Sequence, residues 1–124
     1  MLFRMTLKRF KQIARKAVRE LPEMFHPHVD EIAILVKRRP SRRMLRELEI
    51  PEDDDLFGLY EGPPLTERPL DSMEIPRVLL FYEPLLDACE TEEELEREIR
   101  ITVLHEIGHF FGLDEEQLEK LGYG

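Results

Sequence analysis

Residues 91–117, TEEELEREIRITVLHEIGHFFGLDEEQ, carry their own helix punctuation. Thr91-Glu92-Glu93-Glu94 matches a capping box, in which the Thr hydroxyl and the Glu carboxylate satisfy backbone donors that the first turn leaves unpaired. Leu95, Ile99, Val103 and Ile107 then recur every fourth residue and give the helix an apolar face. His105 and His109 fall inside it. Positions four apart are separated by about 40° around the axis and by one turn along it, so both imidazoles can reach one point beside the helix. Gly112 supplies a left-handed stop just past the second histidine. Asp114-Glu115-Glu116-Gln117 has the spacing of a second capping box, predicting a short helix that Leu118 and Leu121 pack down.

A point beside two imidazoles suits a metal ion. Two neutral imidazoles, one carboxylate and one open position make the tetrahedral catalytic arrangement of zinc, so Zn2+ is the expected cofactor. Counted from His105, the pattern HExxHxxGxx followed by an acid or histidine lands on Glu115. Asp114 is the alternate, although its place in the capping box occupies it as an N-cap. Glu61 in GLYEG is a more distant candidate, and His26 and His28 read as exposed turn histidines. Glu106, displaced about 100° from His105, reaches a water at that point rather than the ion, which is the position of a general base. The chemistry implied is metal-assisted hydrolysis of an amide, most simply a peptide bond. An unpaired edge strand would help an extended peptide to bind, and RVLLFYEPLL, 77–86, is the candidate edge. Tyr60, Tyr123 and Arg68 are candidates for the oxyanion donor that such a site needs.

The remainder of the chain describes one domain. At 124 residues it can bury a single modest core, and 42% hydrophobic with 36% charged residues fits neither a disordered nor a membrane protein. No run of 18 apolar residues exists to span a bilayer. The basic, interrupted N-terminus does not read as a secretory signal, and the single cysteine, Cys89, agrees with a reducing compartment, so a cytoplasmic location is expected. The net charge of −9 hides a division. Residues 1–46 carry 13 Lys/Arg against 4 Asp/Glu, and residues 47–124 carry 5 against 23. An acidic whole without aromatic-basic interleaving argues against nucleic acid as a partner. Residues 2–21 form an amphipathic helix ended by Pro22 and suited to covering a small sheet. EIAILVKRR, 31–39, reads as a strand, 42–55 as a helical turn and an acidic loop, 57–65 as a strand closed by Gly-Pro-Pro, and 77–86 as a third strand. The fold class is α+β.

FGLYEGPPLTER (57–68), RVLLFYEPLL (77–86) and TVLHEIGHFFGLDEEQLEKLGY (102–123) together resemble the small bacterial zincin-like metallopeptidase family over roughly residues 5–124. The resemblance implies a minimal zincin-like fold: a small mixed β-sheet of three to four strands, an N-terminal backing helix, a C-terminal active-site helix and a short final helix. It also implies zinc ligation by His105 and His109, a general base at Glu106, and Glu115 or its neighbour Asp114 at the acidic third position. Larger metzincins carry a histidine or aspartate where this chain has Glu115. They also have a methionine turn below the metal, whereas the last methionine here is Met73, upstream of the motif. The activity implied is zinc-dependent hydrolysis of a peptide or protein substrate. The alternative is a non-catalytic metal-binding module that interacts with a partner.

Overall fold

The computed structural model describes residues 5–51, 56–62 and 75–120, the His28 side chain excepted. Leu2, Phe3, Pro63, Pro64, Arg68, Leu121 and Tyr123, each given a part in the sequence reading, lie outside these residues. Helix α1 spans Leu7–Arg19 and starts where Thr6 accepts a hydrogen bond from the Arg9 N–H at 3.1 Å. Its apolar stripe buries Phe10, Ile13, Ala14 and Ala17. A 3-10 turn at Glu23–Phe25 and the short helix α2, His26–Val29, follow Pro22. Strand β1 is Ala33–Lys37, helix α3 Arg42–Glu47, strand β2 Gly58–Glu61 and strand β3 Arg77–Phe81. Helix α4 runs over Tyr82–Ala88, α5 over Glu92–Phe110 and α6 over Glu115–Lys120. Among the described residues no helix is long and apolar enough to cross a membrane.

The three strands form a mixed sheet in the order β1-β3-β2. β1 runs parallel to β3, with Ala33 opposite Arg77 and Lys37 opposite Phe81, and β2 runs antiparallel to it, with Gly58 opposite Leu80. Two sequence expectations are corrected here. The apolar run 77–86 is a strand only to Phe81, because the chain turns into α4 at Tyr82. Pro84 is the third residue of that helix, where an N–H would lack an intrahelical acceptor in any case, so the proline is accommodated in its first turn. Nor is this strand an edge: β3 is central, and Val78, Leu79, Leu80 and Phe81 are all buried. An unbroken apolar run, without polar alternation, is what burial on both faces demands.

One face of this sheet carries α5, which packs on β2 and β3, with α1 packed against α5 and lying beside β1. The core joins Phe10, Ile13 and Ala17 of α1 to Val78 and Leu80 of β3 and to Leu95, Ile99, Val103 and Ile107 of α5. Each such side chain taken out of water contributes about 1.5–3 kcal/mol before the entropy of ordering it is subtracted. Across the rim of the same interface, bases of α1 meet acids of α5. Arg9 bonds Glu92, and Lys16 lies 2.8 Å from Glu96. These pairs are exposed, so they orient the helices more than they stabilise them.

Candidate metal centre

The start of α5 is set by Thr91, whose hydroxyl accepts from the Glu94 N–H at 3.1 Å. Glu94 reaches back to the N–H of Glu90 at 2.9 Å, one residue before the cap, so the expected reciprocity closes a residue early. With Leu95, Ile99, Val103 and Ile107 all fully buried, the helix cannot rotate without exposing its apolar stripe. That fixes His105 and His109 on the adjoining flank, with side chains 23% and 36% exposed. Their ring centroids lie 5.1 Å apart and the planes meet at 75°.

The chain then leaves α5 in a left-handed turn. Gly112 has φ 76°, its N–H donates to the His109 carbonyl at 3.0 Å, and the Leu113 N–H donates to the Gly108 carbonyl at 2.9 Å. This pair of bonds is a Schellman cap, which a residue without Cβ adopts at least cost. Asp114 and Gln117 next form the second capping box reciprocally, Gln117 N–H to Asp114 Oδ1 at 2.8 Å and Asp114 N–H to Gln117 Oε1 at 2.9 Å. Gly108 allows the short helix to settle, since a Cβ there would lie 2.4 Å from Cδ2 of the buried Leu118. Capped before it and packed behind it, Glu115 points back at the histidines. Its Oε1 lies 3.1 Å from His105 Nε2 and 3.5 Å from His109 Nε2.

Donor atoms of His105, His109 and Glu115 all lie within 4.8 Å of one another. Ligands held ~2.0–2.1 Å from a tetrahedral zinc are separated by roughly 3.3 Å, which the two carboxylate-to-imidazole distances bracket. These three side chains could therefore hold a metal ion such as zinc. The other candidates are engaged elsewhere. Asp114 serves the N-cap, Glu61 pairs with Arg77 at 3.0 Å, and His26 Nε2 lies 2.7 Å from the Leu21 carbonyl oxygen.

Glu106 lies at the inner side of this cluster, where α5 crosses β2. Its Oε1 accepts the Tyr60 N–H at 2.8 Å, and its Oε2 lies 3.8 Å from His105 Nε2. Burial raises its pKa above the ordinary carboxylate value, opposed by the Tyr60 hydrogen bond and by the charges of His105 and His109, with Glu115 adding to the rise. Gly58 makes the crossing close enough: a Cβ there would stand 2.6 Å from Thr102 Cγ2 and 2.9 Å from the Leu79 carbonyl oxygen. The Tyr60 ring, weighed as an oxyanion donor, packs edge-on to Phe110 with centroids 6.1 Å apart.

Three participants escaped the sequence reading. The Tyr60 contribution is a main-chain group, which no residue type signals. Gly58 and Gly108 had a readable signal, since a lone glycine inside a strand or helix marks a close approach by a neighbour.

Comparison with known proteins agrees with this geometry. A family model described as zincin-like metallopeptidase matches residues 29–124. No curated protein matches the chain. Among solved structures, a conserved hypothetical protein from Thermo thermophilus is similar in fold, with a TM-score of 0.56 and 20% identity over 94% of this chain and 97% of that one.

Proposed function

Because the chain belongs to the zincin-like metallopeptidase family, we propose that it is a zinc-dependent peptidase with Glu106 as general base. His105, His109 and Glu115 would hold the ion. Zinc supplies Lewis acidity there, making a water nucleophilic near neutral pH. The observation that carries the reading is the placement of the Glu106 carboxylate, 3.8 Å from His105 Nε2 at one oxygen and bonded to the edge-strand amide at the other. A base must sit beside the attacking water without ligating the ion, and must be anchored so that its second oxygen stays aimed.

Among the described strands β2 is an outer one, and it replaces the expected edge as the surface for substrate. In the antiparallel pattern, residues that bond across to β3 alternate with residues whose backbone groups point away. Phe57 bonds to Phe81, so Gly58 and Tyr60 point outward, toward Glu106 and the cluster. With the Tyr60 N–H held by Glu106, an extended peptide would add along that edge through main-chain hydrogen bonds to Gly58, bringing a carbonyl to the cluster. Only four residues make up β2, so short or unfolded peptides suit it best.

Glu106→Gln tests the reading. Zinc content by elemental analysis is expected to persist, while cleavage of a mixed peptide library, followed by mass spectrometry, falls by about 10²–10⁴-fold. If the zinc-loaded wild-type protein cleaves nothing, the peptidase reading fails and the metal-binding interaction module takes its place.

A further inference from the structure

We propose that the groove between α1 and the open edge of β1 docks an acidic peptide segment in extended form. The groove encloses about 550 Å³ and lies along β1. Among the described strands β1 and β2 lie on opposite sides of β3, so the groove stands roughly 10 Å across the sheet from β2. It is a surface separate from the metal centre, and its test does not depend on peptidase activity.

Charge and backbone together identify the occupant. The floor is apolar, made by Ala14, Val18, Ile34 and Val36. The rim carries Lys11, Arg15, Arg19 and Lys37, and among the described residues no carboxylate lines the groove. All four are exposed, and among the described residues none is ion-paired. Other bases of the same helix differ, since Arg9 and Lys16 are neutralised by Glu92 and Glu96 of α5. Apart from Lys8, the bases of α1 thus divide by face, paired toward α5 and uncompensated toward the groove. The strand beneath them has one side unpaired among the described strands. Ala33 donates to Pro76 across to β3, so by the parallel pattern Ile34 and Val36 direct their N–H and C=O groups to the open side. An apolar strand edge is usually blunted or covered. Here an added strand would find both backbone partners and four positive charges.

A second copy of β1 is disfavoured as occupant, because twofold pairing would bring two sets of four uncompensated bases together. A nucleic-acid strand would satisfy the charges but not the outward amides and carbonyls.

The test is fluorescence anisotropy with the full chain and a fluorescein-labelled peptide, Val-Asp-Val-Glu-Val-Asp-Val-Glu. Saturable binding is expected, weakened about tenfold or more by the double variant Arg15→Glu, Arg19→Glu. Both side chains are exposed, and an unchanged melting temperature checks that the variant folds. Two further probes carry N-methyl groups on the even-numbered or on the odd-numbered residues. Strand addition requires one set to lose binding by a similar factor and the other to keep it. Equal binding of both sets overturns the proposal by reducing the effect to charge alone. It is also overturned if the peptide does not bind, if oligo-dT binds while the peptide does not, or if sedimentation shows a dimer that excludes the peptide.

Discussion

Asp114 and Glu115 are adjacent carboxylates with different duties. Asp114 holds the N–H of Gln117, and Glu115 is turned toward His105 and His109. Asp114→Ala should therefore cost about 1 kcal/mol of stability in urea unfolding, the ordinary value of an N-cap. It should also weaken zinc binding, because the turn that presents Glu115 frays. Glu115→Gln should do the reverse. The side chain is 67% exposed, so stability without metal should change by less than about 0.5 kcal/mol. Zinc affinity, read by competition with a chelating dye, should drop by on the order of tenfold or more, as the ligand loses its charge. Equal zinc affinities for Glu115→Gln and the parent chain would remove Glu115 from the donor set. The positions of the two carboxylates were readable in the sequence, since capping-box spacing places Asp114 at the cap and the HExxHxxGxx pattern counts to Glu115, the one found beside the histidines.

Between elements, the join of β1 to α4 offers a pH test. Arg38 and Arg39 follow β1 and reach Glu83 in the first turn of α4 at 2.7 and 2.8 Å. The Arg38 hydrogen bond, with help from Arg39 and against the cost of burial, holds the Glu83 carboxyl below the usual range. A depressed carboxylate contributes stability that is complete above its unfolded value, near pH ~4.3, and that is lost as pH falls through the lower folded value. Glu83→Gln should accordingly lower the melting temperature at pH 7, with the difference from the parent chain shrinking as acidification proceeds below pH ~4. Calorimetry across that range checks it, and a constant difference would mean that the two arginines do not hold the carboxylate. This join was not legible in the sequence. Helix α4 sits inside an apolar run that fits a strand equally well over its first half, and Pro84 serves as a stop for one element or a first-turn residue for the other.

For the whole molecule, metal and fold should be linked. The three donors come from α5 and α6, which the described contacts join through Leu118 over Gly108 and through the Schellman turn at Gly112. An ion bound there would tie the last helix to the core. With zinc at 100 times its dissociation constant the folded state gains about 2.7 kcal/mol. For a domain of this size that raises the melting temperature by on the order of 10 °C. Chelator should remove the increment, and His105→Ala should show none to remove. The division of charge along the chain also acts at this level. Part of it is consumed internally where α1 meets α5, and the remainder on α1 lines the groove beside β1.

Features set by neighbours within a turn or two were readable from the chain: the start of α5 at Thr91, the capping box of α6, the left-handed exit at Gly112, and the shared flank of His105 and His109. Covalent spacing and helix pitch dictate these features whatever surrounds them. Folding alone settled the central place of β3, the conversion of Tyr82–Ala88 to helix, the withdrawal of Glu61 to Arg77, and the anchoring of Glu106 by an amide 46 residues away. Strand order depends on which apolar surfaces can be buried together, and a backbone N–H has no side chain to announce its partner.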